Sequence, residues 1–305
     1  MLIAKNMIKN NIPIVNAHAH AAMFPFKGEG EDLPLDKWLN DVIWPLEAQK
    51  VNPDFVYNQT KLAIKEMQDN NIGAFMDMYF YQDQVARACE ELKMPVVLGE
   101  GLLDIKGQES FDRDIEKTIK LFEKYKDHPF ISVSVAPHSP YTVNDNNLKK
   151  AKDLARKNDS IYQIHVSETK KEVDNSLLKN NLTPIEYLEK LNVLDEKTVL
   201  IHCVHLSDND ISIIAKYNCS VVHCPISNLK LGSGIAPISK LLKAGVNVAL
   251  GTDGSASCDV LDIKEAGRIA SYLQKGINCD PTEINKDQIN KMMTINGAKA
   301  LNLNY

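Results

Sequence analysis

His18 and His20, in Asn16-Ala17-His18-Ala19-His20, lie two residues apart directly after the apolar run 12–15. Such a run reads as a buried strand, and side chains two apart on a strand share a face. Two imidazoles that converge at a strand end can chelate one divalent ion. An H-x-H pair can also be two surface histidines. What weighs against that reading is the rest of the chain, because His165, His202 and Asp253 also follow apolar runs, each where a strand would end. His138 lies just past another run, and Glu168 lies three residues after His165. Three histidines and one aspartate suit a borderline-soft divalent ion, zinc first, with iron or manganese as alternatives. A coordination place left to water makes such a site catalytic. Each residue alone has a plainer reading. His165 or His202 could be a satisfied core histidine, Asp253 a turn residue in Gly251-Thr252-Asp253-Gly254, and Glu168 a helix-start carboxylate. Their joint placement at strand ends makes those readings hard to hold together.

The elements that would position these residues are legible as a pattern. Apolar strand-like runs fall at 12–15, 72–76, 95–98, 131–135, 161–164, 199–201, 220–222 and 246–250. Amphipathic helical stretches fall between them, at 57–70, 83–92, 112–125, 147–157, 184–191, 208–216 and 237–244, with 262–275 after the last. Eight strands, each followed by a helix, match an α/β fold of the (β/α)₈ barrel type. The runs are continuous rather than alternating, as expected of parallel strands buried on both faces. A doubly wound open sheet is the alternative, but the G-x-G-x-x-G turn it would need is absent. Gly28-Glu29-Gly30 reads as a flexible loop. In a barrel, active-site residues gather at the C-terminal ends of the strands, which is where the histidines and Asp253 fall.

Composition narrows the function. A chain of 305 residues with 44% hydrophobic content has ample length for a core and is read as one barrel domain, 1–305. A net charge of −5 argues against a nucleic-acid surface. No apolar stretch approaches the ~20 residues that span a bilayer, and residues 1–9 lack a signal peptide's apolar centre, so a cytoplasmic protein is expected. Six cysteines form no C-x-x-C pair and read as packed thiols, Cys203 and Cys224 included. His128 is expected to face solvent, and His205 and His223 to serve packing or a loop.

Taken together, Val15-Asn16-Ala17-His18-Ala19-His20, Trp44-Pro45-Leu46-Glu47-Ala48, Asp77-Met78-Tyr79-Phe80, Ala136-Pro137-His138-Ser139-Pro140-Tyr141, His165-Val166-Ser167-Glu168-Thr169, His202-Cys203-Val204-His205-Leu206, the run from Ser227-Asn228-Leu229 to Pro237, and Gly251-Thr252-Asp253-Gly254 resemble the amidohydrolase superfamily. Within it the chain resembles the deaminases of methylthioadenosine and S-adenosylhomocysteine. The resemblance implies a divalent metal, most simply zinc, held by His18, His20, His165 and Asp253. It implies that Glu168 hydrogen-bonds adenine N1 and delivers a proton there, that His202 orients the attacking water, and that Asp253 shares in taking up its proton. Glu47 would accept the ribose hydroxyls, His138 would contact the substrate near base or sugar, and Trp38 would wall the pocket. The implied activity is hydrolytic deamination of an adenine nucleoside (methylthioadenosine, 5′-deoxyadenosine, adenosine or S-adenosylhomocysteine), with release of ammonia. An aminohydrolase of a free base or triazine is the second enzyme reading, and a non-catalytic metal- or nucleoside-binding barrel the third.

The chain departs from that family's pattern in two ways. Relatives usually carry a small β-sandwich built from segments on either side of the barrel. Here about a dozen residues precede residue 12 and the chain ends at Tyr305, so a barrel without the sandwich is expected. The surface thus exposed is expected to pair two copies in a homodimer. The strand-three motif Gly99-Glu100-Gly101-Leu102-Leu103-Asp104 carries Glu100 where an arginine commonly meets the homocysteine carboxylate. Glu100 is therefore expected to contact the 5′-substituent and to disfavour an anionic tail, with Arg113 a more distant substitute.

Overall fold

The computed structural model describes residues 12–303; the leader reading of residues 1–9 lies outside them. Nine parallel strands run β1 (Ile14–His20), β2 (Ile72–Asp77), β3 (Val96–Leu102), β4 (Ile131–Pro137), β5 (Tyr162–Val166), β6 (Thr198–His202), β7 (Ser220–His223), β8 (Asn247–Leu250) and β9 (Asp253–Gly254). Their spatial order is β8-β7-β6-β5-β4-β3-β2-β1-β9. β8 and β9 are separated only by Gly251 and Thr252; β8 pairs with β7, and β9 pairs with β1 through Ala19↔Asp253 and His20↔Gly254. The two ends of the sheet thus meet in one chain segment, which is how the expected barrel closes. The eight anticipated strands become nine because that last stave is broken.

The break has a local cause. The backbone N–H of Thr252 donates to Asn16 Oδ1 at 3.0 Å, and Asn16 Nδ2 donates to Thr252 Oγ1 at 2.7 Å. A buried side chain of β1 therefore replaces the ladder at the seam. Gly251 has no room for a side chain, since a Cβ there would sit 2.9 Å from Val222 Cγ1 and 3.0 Å from His18 Cβ. Asp253 then takes a left-handed backbone, φ 68°.

Most strands run past the apolar stretches that announced them. β1 continues through His18 to His20, β2 to Asp77, β6 to His202 and β7 to His223. The polar residues at these ends hid the strands' true length and are the residues the fold presents at one face. Inside the barrel Val15, Ala17, Met76, Val97, Ala136, Ile201, Val222 and Ala249 pack together, joined by Ala298, Ala300 and Leu301. The last short helix, Ile295–Ala300, closes the other end, with Gly297 set against Val15. The outward faces of the strands pack on the surrounding helices, of which Pro53–Asp69 and Ile263–Asn278 flank the seam. Among the described residues no helix is long and apolar enough to cross a membrane.

Two features carry no periodic signal in the sequence. After β1 the chain forms a 3₁₀ turn, Ala21–Phe26, and a run of short helices in which Trp38–Ile43 is π-helical and Trp44–Lys50 α-helical. After β5 lies a helix, Lys170–Asn180, whose N-terminus is capped by Thr169 accepting from Glu172 N. Its apolar residues are too few to stand out.

Candidate active site

His18, His20, His165 and Asp253 converge at the C-terminal mouth of the barrel, with one potential ligand atom from each lying within 4.8 Å of the others. β1 supplies two of them, β5 one, and the strained start of β9 the fourth. His20 Nε2 lies 3.1 Å and His18 Nε2 3.5 Å from Asp253 Oδ1, and His165 Nε2 lies 3.1 Å from His18 Nε2. The outward nitrogens are tied back. His165 Nδ1–H donates to the His138 carbonyl at 2.8 Å, and His20 Nδ1–H donates to the Met78 carbonyl. Once both rings are neutral, as metal binding requires, that tautomer turns both Nε2 lone pairs inward, the usual outer arrangement of metal-binding histidines. On Asp253, Oδ2 accepts from Ser227 Oγ at 2.6 Å and Ser257 Oγ at 3.2 Å, so Oδ1 is left for the histidines. Ring nitrogens packed this closely with one carboxylate oxygen fit a divalent cation, because a cation satisfies lone pairs that otherwise repel. Charge follows the same logic. Burial brings His18 down to about 4. Burial also opposes charge on His20, but Asp253 outweighs it and raises that histidine to about 9. Burial would raise Asp253, yet His18 and His20 hold its carboxyl well below the usual range.

Beside this cluster sit an acid and a base. His202, held at φ 74° at the end of β6, donates Nδ1–H to Asn228 Oδ1 at 2.9 Å. In the neutral ring the lone pair then lies on Nε2, which is 3.7 Å from Glu168 Oε2, while the ring stacks on His165 at 5.4 Å. Glu168 is buried, which raises its carboxyl, with His202 pulling the other way. Ser233 Oγ donates to its Oε1 at 3.4 Å. The backbone is fixed from behind, where the Glu172 carboxyl accepts the N–H groups of Ser167 and Glu168, both at 2.8 Å.

The cleft above is mainly apolar. Met23, Leu35, Trp38, Leu39, Ile43, Trp44, Phe80, Leu103, Tyr141 and Leu231 line it; beyond the cluster itself the polar groups are Glu47, Tyr79, His138, Glu168, His202 and Ser257. Trp38 lines the cleft, with Nε1–H donating to the Glu29 carbonyl. Glu47 stands at the mouth, its carboxyl raised by burial and partly drawn back by Tyr79. His138 is brought to about 3 by burial, with Nδ1 within 3.0 Å of Thr142 Oγ1 and 3.2 Å of Ser139 Oγ.

Glu100 does not belong here. It is buried beneath the cleft, outside its lining, and accepts from the N–H of Gln82 at 3.0 Å and from Lys117 Nζ at 3.3 Å. Along β3 it is Gly99 that sits against the barrel-interior side chains of Gln163 and Ala136, so Glu100, one residue on, turns to the helices. The expected contact with a 5′-substituent is thereby overturned. Arg113 and Lys106 instead line a neighbouring cavity that shares Trp44, Glu47, Phe80 and Leu103 with the cleft. His128 is half-buried, its Nδ1 accepting from Ile131 N at 3.0 Å, rather than free in solvent. His205 holds a loop through Ser233 O at 2.7 Å, and Cys203 and Cys224 are packed outside the cleft lining. Sequence reasoning gave no role to Tyr79, Ser227, Asn228 or Ser257. The first three lie inside motifs it singled out, but nothing in a motif says which member touches which.

Residues 13–305 match the family model described as the amidohydrolase family. The chain is 42% identical over 292 residues to the 5′-deoxyadenosine deaminase of Methanothermobacter thermautotrophicus, covering 95% of this chain and 68% of that protein. It is 42% identical over 292 residues to the 5-methylthioadenosine/S-adenosylhomocysteine deaminase of Thermodesulfovibrio yellowstonii, covering 94% and 66%. Among solved structures, a zinc-bound adenosine deaminase from Xanthomonas campestris superimposes with a TM-score of 0.92 at 35% identity, covering 95% of this chain and 67% of that one. The chain thus spans about two thirds of the length of these relatives.

Proposed function

The chain belongs to the amidohydrolase family, and from that premise we propose that it is a metal-dependent deaminase of adenine nucleosides, converting them to the inosine analogue and ammonia. One observation carries the reading: a buried acid, Glu168, lies 3.7 Å from a lone-pair nitrogen of His202, beside four converging metal ligands, in a cleft that has Glu47 at its mouth. A divalent ion held by His18, His20, His165 and Asp253, zinc in this reading, would supply the Lewis acidity that activates water at neutral pH. Glu168, held toward its protonated form by burial, donates to ring N1 as water adds at C6. His202 Nε2, fixed as an acceptor by Asn228, orients that water. Asp253, with His202, takes up the water's proton and passes it to the C6 amino group, which leaves as ammonia while the C6 hydroxyl proton returns to Glu168. Glu47 accepts the ribose hydroxyls, a task suited to a carboxylate with two acceptor oxygens. His138 and Trp38 line the space for base and sugar.

The barrel, taken as one domain, carries the whole of this site, and pairing of two copies is part of the reading because Tyr272 and Ile277 stand exposed on the helix Ile263–Asn278. The test is ammonia release from the zinc-loaded protein with adenosine, 5′-deoxyadenosine, methylthioadenosine and S-adenosylhomocysteine, alongside guanine, cytosine and a triazine. Turnover of the nucleosides is expected. Turnover of free bases alone would select the other aminohydrolase reading, for which Glu47 has no work.

A further inference from the structure

Tyr79 is a group the mechanism above does not use. Its hydroxyl is buried and makes no hydrogen bond of ordinary geometry among the described residues, although the Glu47 carboxyl is close enough to influence it, and its side chain lines the cleft. A buried hydroxyl left without a partner normally costs ~1–3 kcal/mol, so such a group in a pocket wall points to a partner that arrives with the ligand. The backbone under it is fixed. Tyr79 N–H donates to the Gly99 carbonyl at 3.0 Å, and its own carbonyl accepts from Gly101 N at 2.9 Å. The ring is held between Phe80, 5.2 Å away between centroids, and His20, 6.4 Å away. The hydroxyl is therefore in a set place rather than free to swing to solvent. The carboxylate that the proposed function assigns to the ribose is its neighbour. Tyr79 draws the Glu47 carboxyl down against the effect of burial, and burial with Glu47 pushes the phenol up, so the phenol is a donor throughout the working range.

Resting on that reading of Glu47, we infer that Tyr79 is a specificity-determining residue whose hydroxyl donates to one of the two ribose hydroxyls, making a donor–acceptor pair with Glu47 that selects ribonucleosides over deoxynucleosides. The two groups are complementary. A carboxylate only accepts, whereas a phenol can donate, so a sugar hydroxyl set between them can donate to Glu47 while accepting from Tyr79. Neither residue alone satisfies both halves of a hydroxyl.

The test crosses Tyr79→Phe, which removes one oxygen and keeps the ring, with three substrates on the zinc-loaded protein: adenosine, 2′-deoxyadenosine and 3′-deoxyadenosine. The expected result is a fall of about tenfold in kcat/KM on adenosine, the scale of one hydrogen bond. The fall should be carried by KM, with zinc content and Tm unchanged. On the deoxynucleoside that lacks the contacted hydroxyl, the variant should match the wild type. Which of the two is insensitive names the hydroxyl. An equal loss on all three substrates overturns the inference, since a merely structural tyrosine would hurt them alike. If Tyr79→Phe folds poorly, Glu47→Ala supplies the same readout. With Tyr79 intact, it should keep part of the wild-type preference for adenosine over the deoxynucleosides, and complete loss of that preference overturns the inference. Wild-type protein that turns over no nucleoside overturns the deaminase reading and this inference with it, whereas turnover without the expected pattern overturns this inference alone.

Discussion

Glu168 shows how one residue's surroundings assign it a task. Its carboxyl is buried, raised by that burial, and set against His202 and Ser233. A general acid works best when its pKa lies near the working pH, and burial shifts a carboxyl in that direction. Glu168→Gln keeps the shape and loses the proton. We expect kcat to fall by at least about 10²-fold, the usual scale for removing a general acid–base, with zinc content and Tm unchanged. Near-wild-type ammonia release from a zinc-loaded Glu168→Gln protein would remove Glu168 from the mechanism. At this scale the sequence was most legible where a polar residue interrupts an apolar run. His18, His165, His202 and Asp253 stand out because each falls where an apolar run ends. It was least legible where neighbours lack side chains. In Gly99-Glu100-Gly101 no alternation can be seen, so the face of Glu100 was read as the cleft when its partners are Gln82 and Lys117. Tyr79 and Asn228 were invisible for a different reason, since their value lies in contacts with residues far away in the chain.

The strands and their joints carry predictions of their own. The seam between β1 and β9 rests on the reciprocal pair Asn16–Thr252, one residue before Asp253. Asn16→Ala leaves the buried N–H of Thr252 without an acceptor, a loss on the order of 1–3 kcal/mol. Denaturant unfolding at fixed zinc concentration should show a lower midpoint with an unchanged slope. An unchanged midpoint would mean that water or a backbone shift replaces the side chain. The loop after β5 rests on Glu172, which holds Ser167 and Glu168 in place and whose pKa burial raises from 4.5 to about 8. The sign of the pH effect follows from which state holds the proton. Between these two values the unfolded chain has released it and the folded protein still keeps it. This contribution to stability is therefore complete below about 4.5 and is lost as the pH rises through about 8. Unfolding free energies measured at intervals across that window should decline with pH more steeply in the wild type than in Glu172→Gln. Parallel curves would show that Glu172 is ionised in the folded protein. The eight anticipated strand positions were correct because continuous apolar runs are what a parallel sheet buried on both faces requires. The run 21–50, with its 3₁₀ turn and π-helical stretch, was not readable, because its residues answer to the cleft and have no periodic face.

At the scale of the whole molecule, the proposed four ligands would be a fastening as well as a catalytic centre. His18 and His20 come from β1, Asp253 from β9 across the seam, and His165 from β5, four strands away in the sheet order. A cation bound there ties the segment that closes the barrel to a distant stave, and it binds the folded chain alone, since the unfolded chain scatters these residues over more than 230 positions. Ligand binding of this kind stabilises by RT ln(1 + [L]/Kd), about 2.7 kcal/mol when the free metal is a hundredfold above Kd. For a domain of this size each kcal/mol corresponds to roughly 2–4 °C in Tm, so stripping the metal with a chelator should lower Tm by about 5–10 °C. It should abolish ammonia release at the same time. Because the histidines must be neutral to bind, and Asp253 holds His20 protonated up to about 9 without a metal, uptake of zinc should release a proton and strengthen with rising pH. Adding zinc back should restore Tm and turnover together, in a single titration with one equivalent per chain. Restoration of Tm without turnover would show a structural ion elsewhere, and turnover that survives chelation at unchanged Tm would remove the metal from the reaction. The joint recovery is the informative outcome, since only a site that both closes the barrel and activates water links the two curves.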